Sequence, residues 1–183
     1  MSDKYKFKNP DGLYFITFTI VYWVDVFTRI EYKDILLKSF EYCQSKKGLE
    51  IFAWCIMSNH VHMIVRTEEG KLLSDIIRDL KKFSSTKLIE AIIENPQESK
   101  KEWMLKLFAN AGKENPNNTS YQFWQNGSHQ IELWSVHVIE EKLDYIHQNP
   151  VKAGWVAEPH HFLYSSAKDY AGEKGILKIK MLW

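Results

Sequence analysis

The chain predicts an α+β fold, an antiparallel sheet in split βαβ order with one further helix after the last strand. Three observations carry this. An aromatic, β-branched run opens the chain, a strand-turn-strand signal sits in its middle, and apolar stripes at helical spacing separate and follow these strands. The 183 residues suit one domain over 1–183, with a helical insertion at about 94–120 and a C-terminal tail at about 151–183. A content of 45 % hydrophobic and 26 % charged residues, with seven Trp, nine Tyr and ten Phe, excludes a disordered chain. No apolar stretch reaches the roughly 20 residues that cross a bilayer, and MSDKYKFKNPDG lacks the apolar centre of a signal peptide, so a cytoplasmic protein without membrane contact is expected. Cys43 and Cys55 form no CxxC pair and read as small buried residues; zinc held by cysteine is not expected. A net charge of +1 leaves nucleic-acid binding to be decided by local charge.

After the turn at Asn9-Pro10-Asp11-Gly12, LYFITFTIVYW (13–23) is the first predicted strand. From Tyr32 to Lys47, Ile35, Leu36, Phe40 and Cys43 recur at helical spacing, and Gly48 caps the helix. LEIFAWCIM (49–57) and HVHMIVR (60–66) are two strands around a tight Ser58-Asn59 turn. A long helix over 72–93 follows from Leu73, Ile76, Ile77, Leu80, Phe83, Leu88 and Ile92. Within 94–120, Trp103, Met104, Leu107, Phe108 and Ala111 indicate a short helix flanked by loops, which covers the core, extends a binding surface or supports dimerisation. YQFWQNGSHQIELWS (121–135) is one interrupted strand or a small hairpin around Asn126-Gly127. Ser135 caps a helix over VHVIEEKLDYIHQN whose buried face is Ile139, Leu143 and Ile146, and Pro150 is expected to stop it.

Two places carry chemistry. His60 and His62, two apart on a strand, emerge from one face and together can hold a divalent ion. The same pair also suits an ordinary hairpin core with one wetted imidazole. Tyr145 and Asn149, four apart on a helix, share a face beside the apolar stripe. A phenol there is able to attack phosphorus, and the amide oxygen to complete a His, His, Asn set. Equally, Tyr145 suits a boundary aromatic and Asn149 a cap before proline.

Taken together, SNHVHMIV, the helix end DYIHQNPVKAGWV and FLYSSAKDY resemble the single-tyrosine HUH transposases of the insertion-sequence-200 type, and most closely the REP-associated tyrosine transposases. The resemblance runs from about Gly12 to Tyr170. It implies a ferredoxin-like antiparallel sheet with helices on one face and an added C-terminal helix bearing the tyrosine. It also implies Mg²⁺ or Mn²⁺ on His60 and His62, with Tyr145 as the nucleophile that nicks and transfers single-stranded hairpin DNA through a 5′-phosphotyrosine. Asn149 becomes the third ligand, standing where much of the broader family has glutamine. His147 projects about 160° from Tyr145 around an ideal helix, and Gln148 turns further from the apolar stripe, so both are discounted. No nucleotide cofactor is needed. The implied partner is single-stranded or hairpin DNA, for a monomer or a homodimer.

For DNA contact, Lys71, Arg78, Lys81, Lys82 and Lys87 stand against only Asp75 and Asp79 within 71–87. Arg78, Lys81, Lys82 and Lys87 are candidate phosphate contacts, although such a cluster is also an ordinary solvated face. Trp155 and Tyr164 in the tail are candidates for stacking on unpaired bases or for docking onto the domain. Ser165 and Ser166 receive no catalytic role. The alternative is a catalytically inactive, domesticated nucleic-acid-binding domain. A histidine-triad nucleotide hydrolase is disfavoured because position 64, where a further alternating histidine would stand, is Ile64.

Overall fold

The computed structural model describes residues 7–115 and 120–183. Strands β1 (Tyr14–Thr19), β2 (Leu49–Ile56), β3 (His60–Thr67) and β4 (Ile131–Glu132) form one sheet in the order β2-β3-β1-β4. All its pairings are antiparallel, which is the ferredoxin-like arrangement. Helices α1 (Ile30–Tyr42), α2 (Leu73–Glu94), α3 (Lys101–Lys113), α4 (Val136–Lys152) and the short α5 (Ala167–Tyr170) complete the described elements.

Strand alternation gives the sheet two buried faces. Ile16, Phe18, Ile51, Trp54, Val61 and Met63 pack with Leu36 and Phe40 of α1 and Ile76, Ile77 and Leu80 of α2. Phe15, Ala53, Cys55 and Ile64 pack on the opposite face with Leu143 and Ile146 of α4. Register slips by one residue between Ile51 and Ala53, so Phe52 joins Ala53 on the α4 face. Because β2 is buried along its whole length, its sequence does not alternate in polarity and gives no sign of that bulge. Both cysteines are free and buried, and burial raises both thiol pKa values, Cys43 to about 11.

Several element ends differ from expectation. The first strand stops at Thr19, and two short 3-10 turns (Val21–Trp23 and Val26–Thr28) follow it. After Tyr42, α1 widens into a π-turn over Cys43–Lys47 that ends at Gly48 with φ 76°, a left-handed cap that glycine adopts without Cβ strain. Pro150 does not stop α4. The helix runs on to Lys152 with Pro150 buried inside it. A proline in the final turn forfeits a single helical hydrogen bond, and the Pro150 carbonyl is taken by the Trp155 N–H at 3.0 Å. Ser135 caps α4 as expected, accepting from the Val138 N–H at 3.3 Å.

Segment 121–135 is the interrupted strand. Gln125 N–H donates to the Thr19 carbonyl at 2.7 Å and Thr17 N–H to the Ser128 carbonyl at 2.9 Å. Positive φ at Gly127 and His129 then breaks the pairing before β4 resumes it. Over the insertion, α3 turns Met104, Phe108 and Ala111 into the core and leaves Trp103 exposed. Residues 116–119 lie outside the described ones. The tail seals the free edge of β2. Ile56 N–H donates to Tyr164, Ser166 N–H to Trp54 and Lys180 N–H to Ile51, each at 2.9 Å, which covers backbone groups that otherwise invite pairing with another chain.

Candidate active site

Register and helix packing together assemble the site. Thr17 of β1 lies directly opposite His62 of β3, and both side chains project from the α4 face. His60, two residues before His62, projects the same way, and the two imidazole centroids are 4.7 Å apart. Above them α4 is held at two points. Leu143 and Ile146 enter the core, while His147 Nε2 meets Ser166 Oγ at 2.9 Å on the β2 side. That rotation leaves Tyr145 facing β1 and β3, with its ring 5.1 Å from His62 and 5.9 Å from Phe15.

Hydrogen bonds occupy Nδ1 of both imidazoles and leave each Nε2 open. Asn59 Nδ2 donates to Asp25 Oδ1 at 2.8 Å and to the Trp23 carbonyl at 3.3 Å. Asn59 therefore presents Oδ1 to His60 Nδ1, 2.7 Å away. An amide oxygen only accepts, so Nδ1 carries the proton and Nε2 the lone pair. His62 Nδ1 is 2.9 Å from Thr17 Oγ1, and its Nε2 is buried without a hydrogen-bond partner among the described residues. An orphaned buried nitrogen is costly, and a cation bound there relieves the cost. Burial holds both imidazoles neutral: it lowers the His62 pKa to about 3, with His60 adding to the effect, and it lowers that of His60 against the opposing charge of Asp25. Neutral imidazoles whose Nε2 atoms make no hydrogen bond among the described residues fit a divalent metal.

Asn149 lies one turn beyond Tyr145, and its Nδ2 donates to the Tyr145 carbonyl at 2.8 Å. Its side-chain hydrogen bond thus stays within the helix and does not reach the histidines. Oδ1, the end a hard cation takes, remains the acceptor on offer. Among the described residues no three His, Cys, Asp or Glu side chains cluster as metal ligands. A cation on the two histidines would therefore fill its shell with amide, water or phosphate oxygens.

Two lysines that the sequence reading passed over flank the tyrosine. Lys142 Nζ and Lys152 Nζ each lie 5.9 Å from the Tyr145 ring centroid. Their positions three before and seven after Tyr145 share its helical face, a signal the sequence did contain. Asp25, Asn59 and Thr17 also support the site, and only Asn59, next to His60, was adjacent enough to suspect.

The other candidates lie elsewhere. Arg78, Lys81, Lys82 and Lys87 belong to α2, on the far face of the sheet. Arg78 pairs with Asp75 and Asp79, and Lys87 with Glu90. Lys81 is no free phosphate contact in this structure. Its amine is buried, which lowers its pKa to about 8, and it donates to the Gln125 carbonyl at 2.8 Å and to that of Gly127. Tyr164 is buried, and its hydroxyl donates to Asp34 at 3.0 Å, so it packs and presents no stacking face. Trp155 is half-exposed beside Phe162. A groove between α2 and segment 120–128 is lined by Arg78, Lys82, Tyr121 and Asn126, among others, and contains none of the histidine-tyrosine cluster. Among the described residues no helix is long and apolar enough to cross a membrane.

The family model described as "Transposase IS200 like" matches residues 11–116, more than half of the chain. That span includes both histidines and ends before Tyr145. The chain is also similar in structure to a REP-associated tyrosine transposase solved bound to a REP hairpin. There the TM-score is 0.66 at 19% identity, covering 100% of this chain and 94% of that one. At this identity the likeness establishes the fold. A crystal structure of a transposase-like protein from Deinococcus radiodurans aligns with TM-score 0.46 and 19% identity over 79% of this chain and 95% of that one. No curated protein sequence matches significantly.

Proposed function

The chain belongs to the IS200-like transposase family, and on that premise we propose that it is a single-tyrosine transesterase that nicks and rejoins single-stranded hairpin DNA. The observation that carries this is the approach of Tyr145 to His62, 5.1 Å between ring centroids, beside an imidazole Nε2 that is buried and unpartnered among the described residues. His60 and His62 would hold the metal, with Asn149 Oδ1 as third ligand. When bound, Mg²⁺ or Mn²⁺ supplies charge neutralisation at the non-bridging oxygens of the scissile phosphate.

The chain's own groups do the rest. Tyr145 is 40% exposed, and its hydroxyl makes no hydrogen bond among the described residues, so Oη is free to approach phosphorus. As the Oη–P bond forms, the P–O3′ bond breaks. Its electron pair stays on the 3′-oxygen, which takes up a proton while the phenolic proton passes to solvent. The product is a 5′-phosphotyrosine and a free 3′-hydroxyl. Another 3′-hydroxyl reverses the step and regenerates the phenol, so no nucleotide cofactor is consumed. Lys152 adds positive charge where the phosphate and the phenolate would lie, as does Lys142, whose amine also pairs with Glu141 at 2.7 Å. A hairpin substrate is supported by the hairpin carried by the structurally similar transposase.

Incubating the protein and Mn²⁺ or Mg²⁺ with a library of labelled hairpin oligonucleotides tests this. The expected product is a covalent protein–DNA adduct that survives denaturation and disappears in Tyr145→Phe. Metal and DNA binding without an adduct across the library would overturn the transesterase and leave a nucleic-acid-binding domain.

A further inference from the structure

Beside the proposed catalytic groups, a strained turn holds two large rings in the open, and only that of Trp23 stands against a site histidine. Immediately after β1, Tyr22 and Trp23 have φ of 54° and 56°, a left-handed region that bulky residues avoid. The turn is not loose. Ile20 N–H donates to the Asn59 carbonyl and Val21 N–H to that of Phe123, both at 2.9 Å, and Phe27 N–H donates to Ser58 at 2.8 Å. Val21, Val24, Val26 and Phe27 are buried and anchor the segment from within. Amid these inward-facing residues, Trp23 remains 58% exposed. Its ring stands edge to face with His60, centroids 6.0 Å apart, and its carbonyl accepts from Asn59, the residue that orients His60. Tyr22 instead points its hydroxyl toward Glu114, on the side of α3.

We infer that Trp23 is a stacking platform for an unpaired nucleobase, on the 5′ side of the scissile phosphate. The inference rests on the proposed transesterase for its polarity. Trp23 lies at the His60 end of the histidine pair and Tyr145 at the His62 end. In-line displacement puts the leaving 3′-oxygen opposite the attacking phenol. The nucleotide carrying that oxygen therefore extends toward Trp23. A fixed, exposed indole offers its face to any base, whereas a base within a duplex already has both faces covered. The platform thereby selects single-stranded DNA at the cut without reading its sequence.

Asparagine tolerates the left-handed conformation better than tryptophan, so Trp23→Asn removes the ring without adding strain. In a Tyr145→Phe background, which prevents turnover, the probe is a fluorescein-labelled oligothymidine of about a dozen nucleotides, with anisotropy as readout. Trp23→Asn is expected to melt no lower than its parent yet bind the oligonucleotide about ten-fold more weakly. Trp23→Phe should retain most of the affinity. Photo-cross-linking with 5-iodouracil in the same oligonucleotide should label Trp23. Unchanged affinity in Trp23→Asn, or cross-links confined to other residues, overturns the platform. The two readings fail separately. Tyrosine adduct formation that is indifferent to Trp23 removes only the platform. Trp23-dependent binding in a protein that forms no adduct removes only the transesterase.

Discussion

A ligand imidazole must be told which nitrogen to offer, and here the two histidines are instructed differently. His60 is oriented by its chain neighbour, Asn59, whose amide is pinned by Asp25 and by the Trp23 carbonyl. His62 is oriented by Thr17, which β1 brings opposite it. The common face of the two histidines is legible from their spacing, because strand side chains alternate. Thr17 was not legible as a partner, since nothing in a threonine distinguishes it until strand pairing sets its register. Thr17→Val keeps the shape and removes the hydroxyl. Isothermal titration with Mn²⁺ should then give an affinity about 10–100-fold weaker, while the circular dichroism of the fold is unchanged. Equal affinity in the two proteins would show that Thr17 does not support the metal site.

At the scale of elements, α4 is the part whose placement matters most, and a buried polar tie sets it. His147 Nε2 meets Ser166 Oγ, and Ser166 Oγ in turn accepts from the Trp54 N–H at 3.0 Å. Ser166 of FLYSSAKDY thus clamps the tail, the β2 edge and α4 together. His147→Ala should destabilise the protein by about 1–3 kcal/mol in urea unfolding, because it empties a buried position and removes the tie to Ser166 Oγ, leaving that hydroxyl only its contacts with the Trp54 backbone. Burial lowers the His147 pKa from 6.5 to about 4. A depressed imidazole pKa means that the unfolded chain takes up a proton the folded one refuses. The stabilisation is therefore complete above pH 6.5 and is lost as pH falls toward 4, at up to about 1.4 kcal/mol per pH unit. Unfolding measured across that window should show a shallower acid slope in His147→Gln. Some slope will remain, since His62 is depressed as well. A slope identical to wild type would contradict this. Helical periodicity was enough to find α4 and its apolar stripe. The end of α4 was misjudged because a proline in a last turn breaks little.

For the whole molecule, the consequence of the fold is the separation of two faces. Of the α2 cations, read from the sequence as one basic patch, Arg78, Lys81 and Lys87 are tied to partners, and all four stand behind the sheet from Tyr145. Lys142 and Lys152 stand at the tyrosine. Salt dependence distinguishes these sets. For single strands the slope of log K against log salt changes by roughly 0.7 per phosphate contact. Lys142→Ala and Lys152→Ala should each flatten the slope by about that amount. Lys81→Met should leave it alone and lower the melting temperature, because its amine holds the Gln125 and Gly127 carbonyls. A Lys81→Met slope shifted like the other two would place DNA on the α2 face.

Local chemistry in the sequence was sufficient for the strand and helix pattern, the paired histidines, the tyrosine four residues before an asparagine, and the Ser135 cap. These are properties of residues within a turn or a strand pair of one another, where 3.6- and 2-residue periods decide direction. What tertiary structure alone decided is what meets across the sheet. It set Tyr145 against His62, left Trp23 exposed at the end of β1, and turned Lys81 and Tyr164 inward. Those outcomes depend on strand register, a one-residue bulge and the rotation of a packed helix, and each is fixed by contacts between residues far apart in the chain.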